Sequence, residues 1–88
     1  MIPIEFDMII FKEDETFVSY TPELDLSSCG GTVDEARKSL MTAVRLFIEE
    51  AEKMGTLEDI LEEAGYRRNN TGGWDGPRMV AVETVELR

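Results

Sequence analysis

The chain has 88 residues, 42% of them apolar, and a formal charge of −10 from nine basic and nineteen acidic side chains. That length suits one domain, residues 1–88, whose small core buries only ~60–65% of the surface the unfolded chain exposes, so association between copies is a natural source of further stability. Histidine is absent and Cys29 is the sole cysteine, which excludes an internal disulfide, a multi-cysteine metal site and Ser-His-Asp or Cys-His catalysis within the chain.

Ile2, Ile4, Phe6, Met8 and Ile10 alternate with Pro3, Glu5, Asp7, Ile9 and Phe11. This period of two predicts a strand over 3–11, with Glu5 and Asp7 on a solvent face and burial increasing toward its end. Lys12-Glu13-Asp14-Glu15 reads as a charged turn, and Thr16-Phe17-Val18-Ser19-Tyr20 as the returning strand of a hairpin. Pro22 has no N–H for a ladder and ends that strand. A short third strand is expected through Leu26-Ser27-Ser28-Cys29.

Gly30 and Gly31 then break the extended run, and Thr32 and Glu35 have the spacing of a capping box. Val33, Ala36, Leu40, Ala43, Val44, Phe47, Ile48, Ala51 and Met54 keep to steps of three and four, which predicts an amphipathic helix over 33–54. Asp34 and Glu35 suit the positive end of its dipole, and Gly55 suits its left-handed cap. Thr56 with Asp59 is a weaker capping pair for a second helix, whose apolar face is Leu57, Ile60, Leu61 and Ala64 and whose stop is Gly65. Residues 67–73 read as a mobile polar loop. Trp74 follows as an anchor, placed either in the core or in a subunit contact. Asp75-Gly76-Pro77 is a turn before a Val-rich final strand over 78–87. The expected architecture is α+β, an antiparallel sheet packed by one long helix in the order β-β-β-α-α-β.

The acidic field repels phosphate backbones and attracts basic partners, so direct nucleic-acid binding by this chain alone is not expected. No apolar run approaches the ~20 residues that span a bilayer. Residues 1–11 lack the basic start and small-residue cleavage site of a signal peptide, so a cytoplasmic location without membrane contact is expected.

The motif Tyr20-Thr21-Pro22-Glu23-Leu24, followed by Gly30-Gly31-Thr32-Val33-Asp34-Glu35-Ala36, resembles the pattern of HicB-family antitoxins over residues 6–50. The positions that carry the resemblance are Tyr20, Pro22, Leu24, Gly30, Thr32, Glu35 and Ala36. Most have structural roles: Pro22 and Gly30 shape turns, Leu24 and Ala36 pack, and Thr32 caps. The resemblance implies a truncated ribonuclease-H-like fold. It also implies a partner, a small basic HicA-like toxin that cleaves mRNA with a catalytic histidine and has a double-stranded-RNA-binding-like fold. Many members carry a C-terminal helix-turn-helix or ribbon-helix-helix domain, whereas this sequence has no basic recognition helix, so the resemblance is to a stand-alone short form.

Converging carboxylates on a ribonuclease-H-like fold raise the question of a metal-dependent nuclease, with Asp7 as the catalytic remnant. Asp7 on the solvent face, and the absence of an Asp from the final strand, favour solvated charges instead. Cys29 without histidine reads as a half-buried core residue rather than a nucleophile. Arg67 and Arg68 are two cations in a chain of −10 and read as part of a solvated loop. Glu49, Glu50, Glu52, Glu58, Glu62 and Glu63 make an acidic surface along both helices, suited to docking a basic protein.

The expected function is therefore inhibition by binding, with no catalytic residue, no metal and no cofactor. Glu23, Asp25, Asp34 and Glu35 are the expected toxin contacts, and the chain is expected to form a homo-oligomer. The alternative is an orphan oligomeric binding or regulatory module of the same fold with no toxin partner, in which 79–87 pairs across a two-fold axis.

Overall fold

The computed structural model describes residues 3–88; Ile2 of the first alternating run lies outside them. Three strands, β1 (Ile9–Glu13), β2 (Thr16–Thr21) and β3 (Leu26–Gly30), form an antiparallel sheet in that order. Helix α1 (Val33–Met54) crosses one face of it, followed by α2 (Leu57–Glu63) and a two-residue hairpin of β4 (Arg67–Arg68) and β5 (Trp74–Asp75). The mixed α+β architecture matches the sequence pattern.

Pairing in β1 begins at Ile9, later than the expected residue 3. Ile9 lies opposite Tyr20, and β2 ends at Thr21 because Pro22 offers no donor to continue the ladder. The Glu23 carboxylate substitutes for the missing strand by accepting the Asp7 N–H at 2.7 Å. The alternation nevertheless persists, with Ile4, Phe6 and Met8 packed against the core. At the other end Lys12 and Glu13 belong to β1, so the turn narrows to Asp14-Glu15, with Asp14 in the left-handed region at φ 53°.

Strand register explains how α1 comes so close. Phe17 pairs with Gly30, Ser19 with Ser28 and Thr21 with Leu26, which places all six on the helix-facing side. Ser19 is fully buried, and its hydroxyl donates to the Ala36 carbonyl at 2.8 Å. At Gly30 an added Cβ would lie 2.6 Å from the Ala36 nitrogen. The glycine is thus required for close approach inside β3, rather than for a turn after it.

The capping box forms as expected. Thr32 accepts the Glu35 N–H at 3.0 Å, and the Glu35 carboxylate accepts the Gly31 N–H at 2.9 Å. Ala36, Leu40, Val44, Ile48 and Ala51 are the buried stripe of α1, whereas Val33 and Met54 at its two ends are exposed. Gly55, at φ 73°, ends the helix as a left-handed cap, with the Thr56 N–H bonded to the Ala51 carbonyl. That bond explains why Thr56 fails as the expected side-chain cap of α2. Its backbone is turned to close α1 (φ −108°, ψ −1°), and its hydroxyl makes no capping bond. Ala64 caps the end of α2, followed by Gly65 at φ 93°.

Residues 67–73 are not a free loop. Asn69 closes the β4–β5 hairpin, its side-chain oxygen accepting from the Thr71 and Gly73 N–H groups at 3.0 and 2.9 Å. An asparagine able to satisfy two amides organises a turn that composition alone reads as loose. Trp74 is 2% exposed in the core with Leu40, Ile48, Leu61 and Tyr66, which resolves its two possible placements in favour of the core.

Two further expectations are corrected. Cys29 is exposed, because it pairs with Val18 on the sheet face opposite α1. The final strand over 78–87 does not form: these residues lie outside regular structure and are exposed. Valine supplies strand propensity, but a strand also needs a ladder, and among the described residues no backbone–backbone hydrogen bond joins this segment to another. The radius of gyration of 14.6 Å exceeds the ~12 Å of a compact chain of this length, as a projecting segment requires.

Candidate functional site

The β2–β3 connection, residues 22–25, meets the N-terminal segment and the start of the C-terminal segment in a groove of about 410 Å³. Asp7, Glu23 and Arg78 line both this groove and an adjoining one of about 330 Å³. Glu23 is half-buried and holds two elements together: one oxygen accepts the Asp7 N–H, and the other accepts the Thr21 hydroxyl at 3.3 Å. Asp7 in turn accepts the Met79 N–H at 2.9 Å. It is therefore half-buried and engaged, not solvated as its alternation with Glu5 suggests.

Beneath the groove, Tyr66 is buried, and its hydroxyl donates to the Glu5 carbonyl at 2.7 Å. Burial first, then the Glu23 and Asp7 charges, push its pKa up to about 12. Tyr20 donates to Asp25 at 3.0 Å. That bond raises the Tyr20 pKa, with smaller contributions from burial and from the charges of Asp25 and Glu23. Asp25 sits at φ 53°, a conformation aspartate tolerates and most residues do not.

The four expected contact residues form two separate pairs. Glu23 and Asp25 precede β3, and Asp34 and Glu35 follow it. Five strand residues, roughly 16 Å, lie between the pairs. Each of the four also has a partner within the chain. Asp34 pairs with Arg37 and Lys38 at 3.6 and 3.1 Å, and Glu35 closes the capping box. Of the motif positions, Leu24 and Ala36 are buried and Thr32 caps α1 as expected, whereas Gly30 serves close approach rather than a turn and Tyr20 tethers Asp25.

Along the helices the carboxylates are exposed. Glu58 pairs with Arg68, whose guanidinium also lies 4.9 Å over the Trp74 ring, so this arginine is committed to holding the hairpin. Among the described residues Glu49, Glu50, Glu52, Glu62 and Glu63 have no ion-pair partner. They present uncompensated negative charge on rigid elements. Among the described residues no three Asp, Glu or Cys side chains are grouped to hold a metal ion, and no helix is long and apolar enough to cross a membrane.

Sequence reasoning missed Tyr66 and the Asp7–Met79 contact. An aromatic residue directly after the helix stop at Gly65 was an available signal for Tyr66. The Asp7–Met79 bond joins residues 72 positions apart, and no local pattern announces it. No family model, curated protein or solved structure matches the chain.

Proposed function

We propose that this chain is a HicB-like antitoxin that binds a small basic HicA-like toxin and neutralises it by covering its RNA-binding surface. The observation that carries the reading is the set of exposed, unpaired carboxylates on α1 and α2, set on a chain of charge −10. A surface built to hold RNA phosphates also accepts carboxylates, and complementary charge speeds encounter and fixes orientation. Inhibition of this kind needs binding alone, so no residue of the chain is assigned a catalytic role.

Within this reading we assign the contact to the helical carboxylates rather than to the β2–β3 connection and the helix start. Glu23, Asp34 and Glu35 serve the fold, and Asp25 is tied to Tyr20. For the fold, we propose the truncated ribonuclease-H-like arrangement. Ile4 makes an isolated parallel bridge with Trp74, so after the helices the chain returns beside its N-terminal segment, and that return supports this reading. A cytoplasmic location is part of the same proposal.

The test is growth rescue with the small reading frame adjacent to this one. Induced alone, that neighbour arrests growth; induced together, the two grow and co-purify as a salt-sensitive complex. Arrest without relief, or no complex, overturns the reading and leaves the orphan oligomeric module.

A further inference from the structure

Helix α1 is apolar over a wider arc than the core covers. Beside its buried stripe, Ala43, Leu46, Phe47 and Met54 share one flank of the helix. Ala43 is half-buried, and Phe47 packs partly against the core. Leu46 and Met54 project from the same flank, 59 and 67% exposed. The opposite flank carries Met41, Arg45 and Glu52, and Met41 there lines the groove beside the N-terminal segment. The Leu46–Met54 flank therefore points away from that groove.

A single exposed apolar side chain is ordinary on a protein surface. Here two lie on one ridge of a rigid helix, about 12 Å apart along its axis, with Glu50 between them. Leu46, Glu50 and Met54 form an i, i+4 row with steps of about 6 Å, the row that interdigitates with the matching row of another helix. Side chains on one face of a strand recur at the longer spacing of ~6.8 Å.

Charge selects the occupant. Residues 49–63 hold seven carboxylates against one cation, Lys53, and of the seven only Glu58 has an ion-pair partner among the described residues. A second copy would bring the same acidic excess and be repelled. A cationic surface is attracted, provided that it offers apolar side chains to Leu46 and Met54.

We propose that this flank of α1 docks a basic amphipathic helix of the partner. Its apolar residues seat on Leu46 and Met54, and its cations meet Glu50 and the neighbouring carboxylates. The inference rests on the antitoxin reading for the identity of the partner. The carboxylates govern encounter, and the apolar pair governs how long the complex lasts.

The test uses a labelled synthetic Leu-Lys peptide with leucines at helical spacing, beside an isomer of the same composition whose leucines alternate. Fluorescence anisotropy on the full chain shows tighter binding of the helical isomer. Leu46→Ala with Met54→Ala, both exposed positions where alanine favours the helix, weakens that binding roughly tenfold or more, mainly through faster dissociation. The loss persists at high salt, where the attraction of the carboxylates is screened. Met41→Ala, on the opposite flank, binds as the wild type does. Equal binding of the two isomers overturns the proposal, as does a double variant that binds like wild type or a matching loss in Met41→Ala. The same variants are then tried against the product of the adjacent reading frame. Unchanged affinity of the double variant for a toxin that the chain does neutralise overturns the inference and leaves the antitoxin reading standing. Peptide binding lost in the double variant, with no arrest and no complex from the neighbour, overturns the antitoxin reading and retains the flank as a site for another basic helix.

Discussion

The Tyr66 hydroxyl donates to the Glu5 carbonyl at 2.7 Å and so ties the end of α2 to the N-terminal segment. Gly76 lies against the same ring, where an added Cβ would sit 2.6 Å from a ring carbon. Three distant parts of the sequence are thus fitted around one aromatic side chain. Removing only the oxygen isolates the bond from the packing. Tyr66→Phe is expected to lower stability by about 1 kcal/mol, because the Glu5 carbonyl loses a buried donor while the ring keeps its contacts. Urea denaturation followed by circular dichroism measures it, and an unchanged midpoint would show that water replaces the bond at no cost.

The same residue sets an alkaline limit. Its folded pKa, about 12, lies above the unfolded value of about 10. The folded state therefore holds the proton more tightly. Its contribution is fully present below the unfolded pKa and is lost as pH rises from there through the folded pKa. Unfolding midpoints should fall across that window. Tyr20 is raised in the same direction and contributes to the fall in every variant that retains it, so the readout is the difference between wild type and Tyr66→Phe. Superimposable profiles would show that Tyr66 has no part in the effect.

The junction of β3 and α1 offers a graded pair of substitutions. Thr32→Ala removes the cap and is expected to cost about 1 kcal/mol, or roughly 4–8 °C in melting temperature for a domain of this size. Gly30→Ala drives a methyl group against the Ala36 nitrogen and the Glu35 carbonyl carbon and Cβ, none of which belongs to a flexible side-chain end. Overpacking of this kind costs about 1–3 kcal/mol, so Gly30→Ala should melt below Thr32→Ala. The reverse order would mean that α1 can slide away from β3 cheaply.

These features differ in how far the sequence revealed them. The long helix, with its cap at Thr32 and its stop at Gly55, is local in origin, since periodicity and capping residues lie within the element itself. The strands around Pro22 and the packing of Leu24 and Ala36 were legible for the same reason. The failures share a different origin. Thr56 cannot cap α2 because its backbone is spent on closing α1, and Asn69 organises a hairpin through bonds across the turn to Thr71, Gly73 and Asp75. For 79–87 the valine content is strand-like, but pairing depends on a ladder partner that the segment itself does not specify. The acidic residues on the helices are exposed, as their polar positions in the helical period imply. The charge of Glu23 and Asp25 is visible in the sequence, while their hydrogen bonds to Asp7 and Tyr20 depend on folding.

That distinction separates two sets of carboxylate variants. Exposed ion pairs contribute about 0.2–1 kcal/mol each. Replacing Glu49, Glu50 and Glu62 together by Lys adds repulsion to the lost attraction, so binding to the proposed basic toxin should weaken by roughly tenfold or more. Most of the change should appear in the association rate and shrink with added salt, as rim charges do. Circular dichroism should be unaffected, since none of the three has an ion-pair partner within the chain among the described residues. Glu23→Gln should behave in the opposite way: the fold loses the charge that holds the Asp7 N–H, and the melting temperature falls. The variant that remains folded should still bind the toxin with near wild-type affinity. Stopped-flow association at two salt concentrations, beside thermal melts, measures both. Toxin binding lost in Glu23→Gln but kept in the triple Lys variant would return the contact to the β2–β3 connection.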